Sequence, residues 1–302
     1  MASKKLIVIV GPTAVGKTKL AVQLAKLLQT EIISADSRQF YEKLDIGTAK
    51  PTAKEMQNIP HHFIDNKILS AEYSCSQFEK EALLLLDQKF DSLNEMIMVG
   101  GSGLYVQAVC EGFDTEIPTS NREIREKLAA VLEKDGLGKL QEMLLQLDRD
   151  FYAQVDINNP IRVMRAIEVC RITGKKYSEL RKGKGKERGF DCIKIGLELP
   201  REELYERINQ RVDEMLDQGL EQEARNVMQF KKNNALKTVG YKEFFSYFEG
   251  RLTKEEAIEK IKTNSRRYAK KQMTWFKKDG EINWFHPDDV DKIITFIHSK
   301  SY

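Results

Sequence analysis

The sequence predicts an α/β fold: a parallel sheet flanked by helices, with a helical insertion domain. Three observations predict it. A glycine-rich loop, GPTAVGKT at residues 11–18, stands between a β-branched run and a helix-periodic one. Further short apolar runs end in Asp or Gly and alternate with helical stretches, the pattern of parallel strands joined by crossover helices. After Gly112 the pattern turns wholly helical, and a strand returns only near residue 193.

The elements follow in order. Residues 4–10, KKLIVIV, form the first strand, and the loop follows it directly. Gly, four residues, then Gly-Lys-Thr is phosphate-loop spacing, which sets the sheet in the P-loop NTPase-like class. Residues 19–28 carry Leu20, Leu24, Leu27 and Leu28 at helical spacing. EIISA at 31–35 is a second strand ending at Asp36. His61 and His62 face opposite ways on an extended chain, and with no third ligand they read as a structural turn. Residues 73–87 form a helix with Ser74 or Ser76 near its N-cap. EMIMV at 95–99 is a third strand, closed by Gly100, Gly101, Ser102 and Gly103. Residues 122–173 read as helices with breaks at Gly136, Gly138 and 158–160. The stretch RKGKGKERG at 181–189 is a basic, Gly-rich loop. IKIGLEL at 193–199 is a last strand, and helices are expected from Arg201 nearly to the end. The expected domains are an α/β core at 1–112 and 191–302 and a helical insertion at 113–190.

A chain of 302 residues holds one large domain or two. No apolar run is long enough to span a membrane, so none is expected. Cys75, Cys110, Cys170 and Cys192 lack metal-pair spacing and read as reduced thiols in a cytoplasmic protein. Net charge is +3, but its distribution is uneven. Residues 162–190 hold ten Lys/Arg against three Glu, and residues 260–278 hold eight Lys/Arg and no acid. Two such segments on a nearly neutral chain suit a polyanion.

Residues Gly11, Pro12, Thr13, Ala14, Val15, Gly16, Lys17 and Thr18 would hold phosphate. Backbone N–H groups form the nest, Lys17 adds a charge and the Thr18 hydroxyl can ligate Mg²⁺. The same loop serves kinases, GTPases and transferases, so it leaves the ligand open. Asp36, at a strand end near the loop, can act as a general base, bind Mg²⁺ or simply close an Asx turn. The third strand runs into VGGSGLYV where many phosphate-loop NTPases carry a Walker B acid, and no guanine-reading motif such as NKxD is present. Tyr177, Tyr268, Trp275 and Phe276 lie within the basic segments, where aromatic faces can stack unpaired bases.

The set GPTAVGKT, ISADSRQFYEKLDIGTAKP, VGGSGLY, VGYKEF and RRYAKKQMTWF closely resembles the bacterial tRNA dimethylallyltransferases, also called tRNA isopentenyltransferases. The motifs run in that family's order from Gly11 to Phe276. The resemblance implies that the loop holds the diphosphate of dimethylallyl diphosphate. It implies an acceptor in the tRNA anticodon stem-loop, N6 of the adenosine 3′ to the anticodon in tRNAs reading codons that begin with U. It assigns the general base to Asp36, places Thr13 at the reacting centre, gives Lys17 the leaving charge and makes Thr18 a ligand of Mg²⁺. It sets Asp36, Ser37, Arg38, Gln39, Ser102, Arg125, Ile161, Arg162, Arg165, Arg266, Arg267 and Lys271 along the RNA path. Ile161 departs from the family's Gln, Ser102 from Thr and Lys237 from an Arg found in some members. Free AMP, ADP or ATP as acceptor is the nearest rival, disfavoured by the basic insertion. An ATP-switched RNA binder and a small-molecule kinase are others. Monomer is the default.

Overall fold

The computed structural model describes residues 4–112, 117–118, 120–181 and 186–300. Two compact units divide the chain: 1–110 with 188–302, and 111–187.

The first unit begins with strand β1 (Lys5–Val10), the loop, helix α1 (Lys17–Leu27) and strand β2 (Ile32–Ser34). A single-turn helix, α2 (Ala53–Met56), precedes strand β3 (His61–His62). The expected turn at the two histidines is therefore a correction: they pair in parallel with Ile32 and Ile33 as the edge of the sheet. The Nε2 atom of His62 lies 2.6 Å from a Glu31 carboxylate oxygen, which ties that edge to β2. Helix α3 (Cys75–Phe90) starts at Ser74, whose side chain closes a capping box with Gln77. Strand β4 (Glu95–Gly100) and helix α4 (Gly103–Cys110) follow.

The second unit carries α5 (Arg122–Leu147), α6 (Arg149–Tyr152), α7 (Pro160–Thr173) and α8 (Tyr177–Leu180). Gly136 breaks α5 with φ +78°, whereas Gly138 continues it, so one of the two expected glycine breaks is absent. Leu128, Leu140, Leu144, Val163 and Ile167 are fully buried and form this unit's own core. Inside it Asp148, with no exposed surface, accepts hydrogen bonds from the Phe151 and Ser178 N–H groups and the Ser178 hydroxyl. A buried carboxylate demands such partners.

The chain returns to the first unit as strand β5 (Asp191–Leu197), then α9 (Arg201–Asp217), α10 (Leu220–Val227), α11 (Tyr241–Phe248) and α12 (Lys254–Phe276). Strand β6 (Asn283–Phe285) and helix α13 (Val290–Ser299) end it. The run of helices expected here omitted β6. Three residues give no periodicity, and pairing of Ile195–Leu197 with Asn283–Phe285 makes the strand.

All six strands are parallel, in the order β3-β2-β4-β1-β5-β6. Central β1 is buried along its whole length, as a strand covered on both faces must be. Its side chains alternate: Leu6 and Val8 join the core layer with α3, Ile7 and Ile9 the layer with α1 and α13. This sheet brings the carboxyl ends of β1, β2 and β4 to one edge, where open α/β sheets bind ligands.

Candidate active site

The phosphate loop leaves the carboxyl end of β1 and enters α1 through Gly16, whose φ of +101° is left-handed. That conformation suits glycine and turns the next N–H groups inward. The Lys17 ammonium folds back to donate to the Pro12 carbonyl at 2.6 Å. Burial first, then repulsion by Arg211, draws its pKa down to about 7, against the opposing charge of Asp36. The Thr13 N–H donates to Gln272 Oε1 at 2.9 Å, and its hydroxyl accepts from Arg211 Nη1 at 3.3 Å.

Asp36 follows β2. Its Oδ1 accepts the Arg38 N–H at 3.0 Å, so the Asx turn is real. Oδ2 has no hydrogen-bond partner among the described residues and is free for chemistry. Beside it, Ser102 Oγ accepts the Ser37 N–H at 3.0 Å and donates to Ser37 Oγ at 3.2 Å. Tyr268, 42% exposed, lines the cleft near Asp36, and desolvation, then the Asp36 charge, pushes its hydroxyl up to about 12.

A cleft of about 280 Å³ brings together Thr13, Lys17, Thr18, Asp36, Arg38 and Tyr268. Ala14, Gly16 and Gln39 line it too, while Gly11, Pro12, Val15, Ser37 and Ser102 do not. Gln39 is committed to the fold: its amide accepts the Ser34 hydroxyl and donates to the Thr48 and Ala49 carbonyls. Arg266, Arg267 and Lys271 of α12 are outside the lining. Arg266 donates to Asn209 at 2.5 Å and to Thr263, whereas Arg267 and Lys271 are exposed. In the second unit Arg125 and Arg165 both bond the buried Glu168, and Arg165 also donates to the Pro118 carbonyl at 2.5 Å. Arg162 and Ile161 are exposed, Ile161 by 73%. Lys237 is exposed in the first unit. Lys182 and Lys184 lie outside the described residues. Arg188, also in that basic stretch, is buried and bonded to Glu79 and the Ala108 carbonyl.

Two polar cleft residues were not singled out from the sequence: Arg211, outside every motif, and Gln272, inside RRYAKKQMTWF. Each is a polar residue on an otherwise apolar helical stripe: Leu204, Ile208, Arg211, Val212 on α9, and Ala269, Gln272, Phe276 on α12. A polar side chain at a core position was the available signal. Arg211 is part-buried, desolvation lowers its pKa, and it has no salt-bridge partner among the described residues. A desolvated cation without an ion pair suits an anionic ligand.

No group of three or more His, Cys, Asp or Glu converges on a metal position among the described residues. The cleft does offer the Thr18 hydroxyl and the Asp36 carboxylate. That small set fits Mg²⁺ bound mainly by phosphate oxygens and water.

The family model for IPP transferases matches residues 39–279. The chain is 49% identical to the tRNA dimethylallyltransferase of Cytophaga hutchinsonii, over 99% of this chain and 98% of that protein. It is 47% identical to tRNA dimethylallyltransferase 1 of Bacteroides fragilis, over 99% of both. Among solved structures, the tRNA isopentenylpyrophosphate transferase of Bacillus halodurans is similar with a TM-score of 0.74 and 39% identity, over 99% of this chain and 97% of that one. A eukaryotic dimethylallyltransferase, captured acting on tRNA, is similar with a TM-score of 0.80 and 31% identity, over 99% of this chain and 78% of that one.

Proposed function

The chain belongs to the IPP transferase family, and from that premise we propose that it is a tRNA dimethylallyltransferase. It transfers the dimethylallyl group of dimethylallyl diphosphate to N6 of the adenosine 3′-adjacent to the anticodon. Its tRNAs read codons that begin with U, and it works as a monomer in the cytoplasm. The observation that carries the reading is the Asp36 carboxylate, with one free oxygen, opening onto the same cleft as the phosphate loop.

In this reading N6 attacks C1 of the donor, and the N–C bond forms as the C1–O bond to diphosphate breaks. The N6 proton passes to Asp36 Oδ2. A positioned base of this kind contributes roughly 10²–10⁴ in rate. The departing diphosphate keeps the bonding pair, and its charge is met by the loop N–H groups, Lys17 and Arg211. Thr18 would hold Mg²⁺ here, and the ion would supply further charge neutralisation. Tyr268 lines the acceptor side, and Ser102 stands behind Asp36 through its bond to Ser37. The adenine must leave the stacked anticodon loop, at a cost of roughly a few kcal/mol. The second unit, through its basic stretch from Arg162 onward, takes the anticodon stem-loop. There Arg162 is free to meet phosphate, whereas Arg165 braces Glu168.

Replacing the base tests this directly. Asp36→Ala is expected to lower single-turnover transfer at least about 100-fold, with tRNA affinity changed less than about threefold. Unchanged turnover removes Asp36 from the base role.

A further inference from the structure

We propose that Gln272 is a positioning residue that sets the register between the phosphate loop and the Asp36 side of the cleft. The inference rests on the transferase reading and adds a residue to it. Gln272 is 6% exposed on α12, and its amide bridges two segments far apart in the chain. Oε1 accepts the Thr13 N–H at 2.9 Å, and Nε2 donates to the Gly101 carbonyl at 2.9 Å. One partner needs an acceptor and the other a donor, so only one orientation of the amide satisfies both.

Each end of the bridge leads to a reacting group. On the loop side, the fixed Thr13 N–H is withdrawn from the phosphate nest, so the N–H groups from Ala14 onward must hold the donor. Thr13 then presents its hydroxyl to Arg211. On the other side Gly101 precedes Ser102, whose hydroxyl holds Ser37, the neighbour of Asp36. The distance from leaving group to base therefore depends on one buried amide. Gly101 must also be bare: a Cβ there would stand 2.2 Å from Gln272 Nε2.

A displacement of about 1 Å between reacting groups costs on the order of 100-fold in rate. Gln272→Ala is accordingly expected to lower kcat at least about tenfold, with KM for donor and tRNA within about threefold. Donor hydrolysis per transfer should rise, because a misplaced acceptor leaves C1 open to water. Gly101→Ala, which forces the amide aside, should lower kcat alone and add nothing in the Gln272→Ala background. It also keeps the test alive if Gln272→Ala does not fold. Losses confined to KM or thermal stability, or additive kcat losses in the double variant, overturn the proposal. A wild-type chain that prenylates no tRNA fails the transferase reading itself, and this inference with it. That control is read before any variant.

Discussion

At the residue scale, Lys17 is the group whose chemistry is most open to measurement. Its ammonium is desolvated and faces Arg211, and its pKa falls to about 7. A diphosphate in the loop favours the charged form and raises that pKa again. Below pH 7 the lysine is already charged, and binding needs no proton. Above it binding draws a proton from the buffer, so donor affinity weakens as pH rises. Calorimetry at about pH 8 in buffers of different ionisation enthalpy should report uptake of close to one proton per donor. Lys17→Gln should abolish that uptake, and a buffer-independent heat for the wild type contradicts the assignment. Lys17, Thr18 and Asp36 were legible in the sequence because each is fixed by its chain neighbours, a strand end or a loop. Arg211 and Gln272 were not, since the cleft that gives them meaning is assembled from α9, α12 and the loop.

At the element scale, the stretch around DSRQFYEKLDIGTAKP divides between chemistry and scaffolding. Asp36 and Arg38 face the cleft, as do Gly47, Thr48, Ala49 and Pro51, and the part from Asp45 onward is held in place there by other side chains. The Glu223 carboxylate of α10 accepts the N–H groups of Asp45, Ile46 and Gly47 and the Tyr241 hydroxyl. Lys50, almost wholly buried, donates to the Tyr41 carbonyl and pairs with Asp45 and Asp65. Charge-assisted bonds of this kind are the strong ones, and unmet buried donors are costly. Glu223→Ala should therefore lower unfolding free energy by about 2–3 kcal/mol, measured by urea titration, and loosen the loop that carries Gln39's partners. A loss within about 0.5 kcal/mol contradicts the scaffold role. Long elements with clear periodicity, α1, α3 and β4, were legible in advance. Strands β3 and β6 were not, because two or three residues carry no period and exist through pairing with β2 and β5.

At the scale of the molecule, charge is the feature that composition alone concealed. Net charge is +3, yet α12 and its flank carry a cationic run without an acid. Arg267, Lys270 and Lys271 on α12 are exposed. Neutralising the three should weaken tRNA binding and flatten its dependence on salt by about 0.7–0.9 per lost phosphate contact. An unchanged slope removes α12 from the RNA path. Arg188 does not belong in such a set. Sequence counts it with the basic loop, but its guanidinium is buried against Glu79, and its loss would read as instability. Counting charges could not separate a solvated cation from a structural one, because burial is a property of the folded chain.

The central claim is prenyl transfer to tRNA. The most direct test incubates the wild-type chain with Mg²⁺, dimethylallyl diphosphate, unmodified tRNA and AMP, then digests the RNA for mass spectrometry of its nucleosides. The account predicts one added five-carbon unit on the adenosine 3′ to the anticodon, and none on AMP. Prenylated AMP with unmodified tRNA, or no transfer to either, contradicts it.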